Sequence, residues 1–371
     1  MPTPDSSISI ANLAATQHWP SPPPIAPATW QTIASASPSI LDFLHDELPQ
    51  EPKKTSSKQK PITNVLMKQF QSYSPLKLNS KTTANFEKTH KPIDFTFCTN
   101  DALLGIEIEV ENIHNQLPHP VAYWSIKNDG SLRNAGIECV SQPVTPFQVT
   151  YAIPHIYELL HLGNQPDFSN RTSTHIHLNC RDLTQNQVWN LVILYCIFEK
   201  HFYKFANTHR LNSIFCVPVY RSNILHMADD VIYKGTDSWS KYCGLNILPL
   251  VPNNVTGTYG TIEFRHLHGT NDQLLILNWI DTILGLYKLA QEMTKEELVE
   301  TLKHMNTTSC YKSLYYRFLN KQKPLLESNK DFEDCISHVK RELFGGSYGQ
   351  TLKISASSPY WIIAHELSIT G

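Results

Sequence analysis

Apolar and polar residues alternate strictly along three short segments, Leu104-Gly-Ile-Glu-Ile-Glu-Val-Glu111, Thr174-His-Ile-His-Leu-Asn179 and Thr261-Ile-Glu-Phe-Arg-His266. A period of two predicts strands with one buried face. Ile106, Ile108 and Val110 then point one way and Glu107, Glu109 and Glu111 the other. Ile176 and Leu178 oppose His175, His177 and Asn179, and Ile262 and Phe264 oppose Glu263 and Arg265. Further strands are predicted over 120–126, 136–141 and 243–248.

Helical periodicity lies between them. Thr145-Pro146 is a cap followed by proline at the first helical position, leading toward Leu160 through Pro154. Thr184 with Gln187 forms a capping box ahead of an apolar helix ending near Phe205. Asn271 or Thr270 caps a helix from Gln273 to Glu292, in which Leu274, Leu277, Ile280 and Leu284 form a stripe. Thr294 with Glu297 repeats the capping box before Leu298 to Met305, and small helices are expected from Tyr311 to Gly371, closing with Tyr360-Trp-Ile-Ile363. The fold class is α+β, and no internal repeat is present.

The first 97 residues differ in character. They hold 13 of the 24 prolines, no glycine and no cysteine. Segments such as Ser21-Pro-Pro-Pro-Ile-Ala-Pro27 favour an extended chain. Residues 1–97 are read as a Pro-rich arm with one short helix near Ser39 to Leu48, 98–293 as a compact α+β domain and 294–371 as a helical extension. Trp19, Trp30, Phe43 and Phe70 give the arm more aromatic surface than a solvated tail needs, so it is read as docking on a partner protein or a sister subunit.

Composition narrows the function classes. The 371 residues carry a formal net charge of −2, and 41% are hydrophobic. That is enough for a core, without the basic excess that a nucleic acid or anionic membrane partner calls for. The apolar run from Val188 to Phe205 is broken by Asn190, Glu199, Lys200 and His201 and reads as a core helix. No secretory leader is evident at the N-terminus. The eight cysteines lack paired CxxC spacing and read as reduced, buried thiols of a cytoplasmic protein.

The polar face carries the chemistry. Magnesium prefers hard oxygen ligands and shares its shell with phosphates and water. Glu107 and Glu109, two apart on a strand, place carboxylates roughly 7 Å apart on one face, enough to serve neighbouring ions. Glu138, in Gly136-Ile-Glu-Cys-Val140, follows the same phase, and His175 or His177 completes a mixed site. Glu263 adds a carboxylate, and Arg265 can fork two hydrogen bonds onto a phosphoryl group. Each pattern alone has a bland explanation as a solvated face, a structural histidine or an exposed ion pair. Their joint occurrence in phase favours a metal and phosphate site.

These residues also carry a resemblance. Gly105-Ile-Glu-Ile-Glu-Val-Glu111, Asp129-Gly-Ser-Leu132 with Gly136-Ile-Glu-Cys-Val-Ser141, Thr174-His-Ile-His177, Lys241-Tyr-Cys-Gly-Leu-Asn246 and Gly260-Thr-Ile-Glu-Phe-Arg265 before His268-Gly-Thr270 resemble, in order, the motifs of the amidoligase family. That family is phage- and bacterium-associated and belongs to the carboxylate–amine ligase superfamily, with glutamine synthetase and glutamate–cysteine ligase. The resemblance covers roughly residues 100 to 290. It implies a curved antiparallel sheet backed by helices, with ATP and two or three Mg2+ ions on the polar face.

Residue by residue, the resemblance makes Glu107, Glu109, Glu138, His175 and Glu263 metal ligands. Arg265 would hold the transferred phosphoryl group, and Arg133, His177, Lys241 and Asn246 would join it around the nucleotide. Asp129 or Glu111 would accept a proton from the incoming amine. Cys243, in the Lys241–Asn246 motif, reads as packing. The implied reaction joins a carboxylate to an amine through an acyl phosphate, in a bacterial cytoplasm or on a virion. Alternatives are a catalytically silent domain serving phage assembly, a phosphotransferase acting on a guanidino group, and a zinc hydrolase, for which no H-E-x-x-H helix is present.

Overall fold

The computed structural model describes residues 80–118, 121–222, 224–251, 259–304, 314 and 329–344. The expected arm up to residue 79, its helix near Ser39 and the closing Tyr360-Trp-Ile-Ile363 lie outside the described residues. Six strands form one antiparallel sheet: β1 (Leu104–Val110), β2 (Trp124–Asn128), β3 (Ile137–Ser141), β4 (Ser173–Asn179), β5 (Leu245–Asn246) and β6 (Thr261–His268). Their order is β2-β3-β1-β4-β6-β5, so the three alternating segments lie side by side as β1, β4 and β6. Every ladder is antiparallel.

The alternation sorts the two faces as expected. Ile106, Ile108, Val110, Ile176, Leu178, Ile262 and Phe264 are all fully buried. Helices supply their cover: α1 (Ser80–Thr89), α2 (Pro146–Leu160), α3 (Gln185–Ala206), α4 (Gln273–Glu292), α5 (Lys295–His304) and α6 (Asn329–Phe344). α3 packs against α4, α5 and α6 and reaches β6. Its run from Val188 to Phe198 is buried on every side, which is why it reads as almost continuously apolar. Among the described residues no helix is long and apolar enough to cross a membrane.

The caps at Thr145, Thr184 and Thr294 form their reciprocal bonds with Gln148, Gln187 and Glu297. Three local readings need correction. The cap of α4 is Asp272, which accepts from the Leu275 amide at 3.0 Å; Thr270 instead accepts from the Asp272 amide. Leu274, counted in the apolar stripe, is 55% exposed, because it sits in the first turn before α4 meets the sheet; Leu277, Ile280 and Leu284 are buried. β2 begins at Trp124, since Tyr123 takes a positive φ of 70° and turns the chain into the ladder, which continues to Asn128 opposite Ile137. Ser80–Thr89, within the stretch read as arm, is helical, and Glu87 accepts from the Tyr123 hydroxyl at 2.7 Å and from Gln148 at 3.2 Å.

Two irregularities matter for the site. Thr174 pairs with Leu267 and Ile176 with Phe264, so Arg265 and His266 together face His175 alone. This bulge sends Arg265 toward the polar face while His266 is buried against Tyr195, Tyr203 and Trp279. Gly244 then lies over the bulge, accepting from the Arg265 amide at 2.9 Å. A Cβ on Gly244 would come within 2.5 Å of the Tyr203 hydroxyl and 2.7 Å of His266 Nε2. Gly244→Ala is therefore expected to destabilise the fold by about 1–3 kcal/mol in urea unfolding, the range for overpacking a tight site. Unfolding at the parent's midpoint would show that the bulge is not held this way.

Candidate active site

Register fixes which side chains meet on the polar face. Glu107 stands opposite His175, Glu109 opposite Glu138, Glu138 opposite Lys127, and His177 and Asn246 each opposite Glu263. Four strands thus bring six carboxylates and histidines onto one face, and Asp129 joins them from the turn after β2. Two clusters result. In Glu107, His175 and Glu263, one ligand atom from each lies within 4.8 Å of the others, and the same holds for Glu109, Asp129 and Glu138.

The first cluster is a tight electrostatic knot. His175 Nδ1 lies 3.2 Å from Glu107 and 3.3 Å from Glu263. His177 Nε2 stands 3.2 Å from Glu107 Oε1, an ion-pair distance, but out of line for a hydrogen bond. Arg265 Nη1 donates to Glu263 Oε1, and its Nε donates to the Phe215 carbonyl at 3.3 Å. Asn246 Nδ2 donates to the other Glu263 oxygen at 2.7 Å.

Titration follows from this packing. Burial alone would push the Glu107 carboxyl up. The His175 hydrogen bond and the approach of His177 outweigh it and hold the group well below the usual carboxylate range. Glu263 is lowered against the same burial penalty by the charges of His177, His175 and Arg265. His177 moves the other way: burial opposes its charged form, but Glu107 and Glu263 raise it above an ordinary imidazole. For Glu138 the charges of Lys127 and His175 are not enough to offset the opposing effects. Burial first, then the charges of Glu107 and Glu109, raise it to about 7.

Ser173 links the clusters. Its hydroxyl donates to Glu109 Oε2 at 2.5 Å and lies 2.7 Å from His175 Nε2. A hydroxyl has one proton to give, so the one directed at Glu109 leaves its oxygen to accept from His175 Nε2–H. That assignment leaves Nδ1 facing Glu107 and Glu263: carrying a proton it donates to Glu107, and once a cation displaces that proton its lone pair is aimed as a metal-binding imidazole's must be. The donor sets, mostly carboxylate oxygen with one imidazole, fit a hard divalent cation such as magnesium or manganese.

Two cavities open on this face and share Glu107. One, of about 240 Å³, is lined by Glu107, Glu109, Asp129, Glu138, His175 and Arg265, among others. Its neighbour, of about 350 Å³, is largely apolar, with Gly105, Ile106, Val140, His177, Asn179 and Tyr259 in its walls. Gly105 takes a polar-face position without a side chain, and a Cβ there would stand 3.3 Å from His177 Cβ.

Of the residues singled out in the sequence, Glu107, Glu109, Asp129, Glu138, His175, Glu263 and Arg265 meet around the smaller cavity. His177 and Asn179 line the larger one, and Asn246 reaches Glu263 from behind. The others lie elsewhere. Glu111 is buried, and one oxygen accepts the Arg133 amide at 2.7 Å. The Arg133 side chain is exposed, and Lys241 lies over the Tyr242 ring at 5.0 Å. None of these three lines either cavity. Sequence reading missed Ser173, Arg171, Arg210, Phe215 and Tyr242, which do line the smaller cavity. For Ser173 the signal existed, since it shares the phase of His175 and His177.

No curated protein matches the chain. The family model described as "Putative amidoligase enzyme" matches residues 77–287, more than half of the chain. The match takes in α1, all six strands and most of α4, and therefore every residue of both clusters. The chain belongs to this amidoligase family.

Proposed function

We propose that the chain is an ATP- and Mg2+-dependent carboxylate–amine ligase, forming an amide or isopeptide bond through an acyl phosphate on a glutamine synthetase-like sheet. The observation that carries this reading is the pair of three-ligand clusters joined through Ser173, with Arg265 beside them, in a member of the amidoligase family. A carboxylate is a poor electrophile. Amide formation needs its oxygen replaced by a better leaving group, which transfer of a phosphoryl group provides. Bound magnesium would neutralise the charge that develops on the transferred phosphoryl group.

The chain's own residues supply the rest. Glu107, His175 and Glu263 would hold one cation, and Glu109, Asp129 and Glu138 a second. Arg265 is directional: its pairing with Glu263 and its bond to the Phe215 carbonyl orient the guanidinium beside the cavity before substrate arrives. The flat, apolar faces of a nucleobase suit the larger cavity, where Tyr259 offers a ring, leaving the phosphates to reach over Glu107 into the smaller one. The attacking amine must lose a proton. Of the two carboxylates considered for that task, Asp129 lines the cavity and Glu111 does not, and the Asp129 oxygen that the cation leaves free would take the proton.

Release of ADP from ATP is expected to require both a carboxylate and an amine, and Glu109→Gln is expected to lower it by ~100-fold or more. A coupled ADP assay over a panel of amino acids and cell-wall peptides checks this. Turnover that ignores the amine, or an unaffected Glu109→Gln, defeats the reading.

Cation binding also has a pH signature. Glu138 ionises near 4.5 when unfolded and at about 7 in the fold. The metal-free native state therefore binds the extra proton, and the stability this lends is complete below pH 4.5 and lost as pH rises through 7. Without metal, Glu138→Gln should melt at a higher temperature than the parent at pH 8. The two should converge toward pH 4.5, and Mg2+ should stabilise the parent chiefly at the alkaline end. Melting curves at several pH values, with chelator or Mg2+, test the sign.

A further inference from the structure

Arg210 lies in the short 3-10 turn Thr208–Asn212, and its side chain is 3% exposed. Its Nε donates to the His266 carbonyl at 3.0 Å and its Nη2 to the Arg265 carbonyl at 2.8 Å. These are the two carbonyls of the β6 bulge. Among the described residues no carboxylate pairs with the guanidinium, and its third nitrogen, Nη1, has no partner. Nη1 is also not among the sealed-off polar atoms, and Arg210 lines the smaller cavity beside Arg265, Glu107 and Glu109.

Holding two carbonyls does not require a charge. A buried cation costs several kcal/mol unless an anion meets it. Here Arg210 is part of the lining of a cavity whose acidic wall, Glu109, Asp129 and Glu138, is set to take cations. The basic wall, Arg210 with Arg265 and Arg171, is the complementary half; Arg265 already pairs with Glu263, whereas Arg210 meets no anion among the described residues.

We propose that Arg210 binds anions in this cavity, clamping a phosphate-type oxyanion together with Arg265. A carboxylate has two oxygens, and one guanidinium fork satisfies both. Two guanidiniums converging on one group suit the three terminal oxygens of a phosphoryl group. The role rests on the ligase reading only in that phosphoryl transfer would bring this group to the cavity.

Calorimetric titration of the full chain with magnesium tripolyphosphate tests the clamp without a nucleotide. Arg210→Lys keeps the charge but loses the fork. It should weaken tripolyphosphate by about tenfold or more, the loss of one charge-assisted hydrogen bond, while Mg2+ binding stays at the parent's value. Glutarate, the dicarboxylate arm, should not compete. Affinity within about twofold of the parent, or competition by glutarate, overturns the proposal. If the variant folds poorly, parent crystals soaked in tungstate decide: density between Arg210 Nη1 and Arg265 is expected, and its absence there is fatal. Tripolyphosphate binding lost in Arg210→Lys, with no amine-dependent ADP release by the parent, would keep the clamp and reject the ligase. Amine-dependent turnover unaffected by Arg210→Lys would do the reverse.

Discussion

A buried carboxylate must be matched by positive charge, and this requirement shapes the whole polar face. Glu263 is 4% exposed and Glu107 little more than a fifth exposed, yet both are held in the ionised form. Each unpaired charge at such depth would cost several kcal/mol. His175, His177 and Arg265 supply the compensation within about 4 Å. A divalent cation arriving at this cluster would therefore meet ligands already placed, and would compete with protons and a guanidinium and not with water alone. Glu109, Asp129 and Glu138 form the opposite case. Lys127 and His175 act on that cluster too weakly to offset burial and the neighbouring carboxylates, which raise Glu138 to about 7, so its need for a cation is the greater.

This arrangement depends on Arg265, and Arg265 depends on what lies behind the sheet. Its strand is bulged, and a bulge leaves backbone groups to be satisfied elsewhere. Arg210 takes two of them from one side, and Gly244 takes the Arg265 amide from another. Beneath, Tyr195 lies 2.6 Å from His266 Nε2 and donates to Glu199 at 2.6 Å. Glu199, fully buried, also accepts the amides of Val219 and Tyr220 and so ties that segment to α3. Burial raises its carboxyl to about 7 despite these hydrogen bonds. The polar chain under the bulge thus connects α3, β6 and the 213–222 segment whose Phe215 carbonyl orients Arg265. A glycine in the Lys241–Asn246 motif is explained by the same packing, since there is no space for a Cβ above that network.

Period-two alternation made the faces of β1, β4 and β6 legible without coordinates, because burying one face fixes the phase of every residue on a strand. It also assembled Glu107, Glu109, His175, Glu263 and Arg265 correctly, since antiparallel neighbours in phase must share a face. Capping boxes were legible because both partners lie within four residues. What failed was tertiary in origin. The start of β2 depends on the positive φ at Tyr123, and the exposure of Leu274 depends on where α4 meets the sheet. Arg210 had no sequence signal at all: it lies in a turn without periodicity, and its importance comes from a bulge more than fifty residues downstream. Arg133 follows from its place beside the Asp129-Gly-Ser turn and Lys241 from opening its motif, and neither position in sequence fixes where a long side chain points; neither lines the two cavities.

Glu107 has a position that no other carboxylate of the face shares, because it lines both cavities. On the same strand face, Gly105 opens the apolar cavity on one side and Glu109 commits the other to charge. The change from glycine to glutamate to glutamate along alternate residues of β1 is therefore a gradient in polarity, laid out over a distance of roughly 14 Å by strand geometry. In the proposed reaction an elongated ligand with a flat apolar end and a charged end would be oriented by that gradient alone. Its charged end could then lie only where the two acid clusters and the guanidiniums converge. Strand periodicity, which first identified the site, would also set the direction in which its ligand lies.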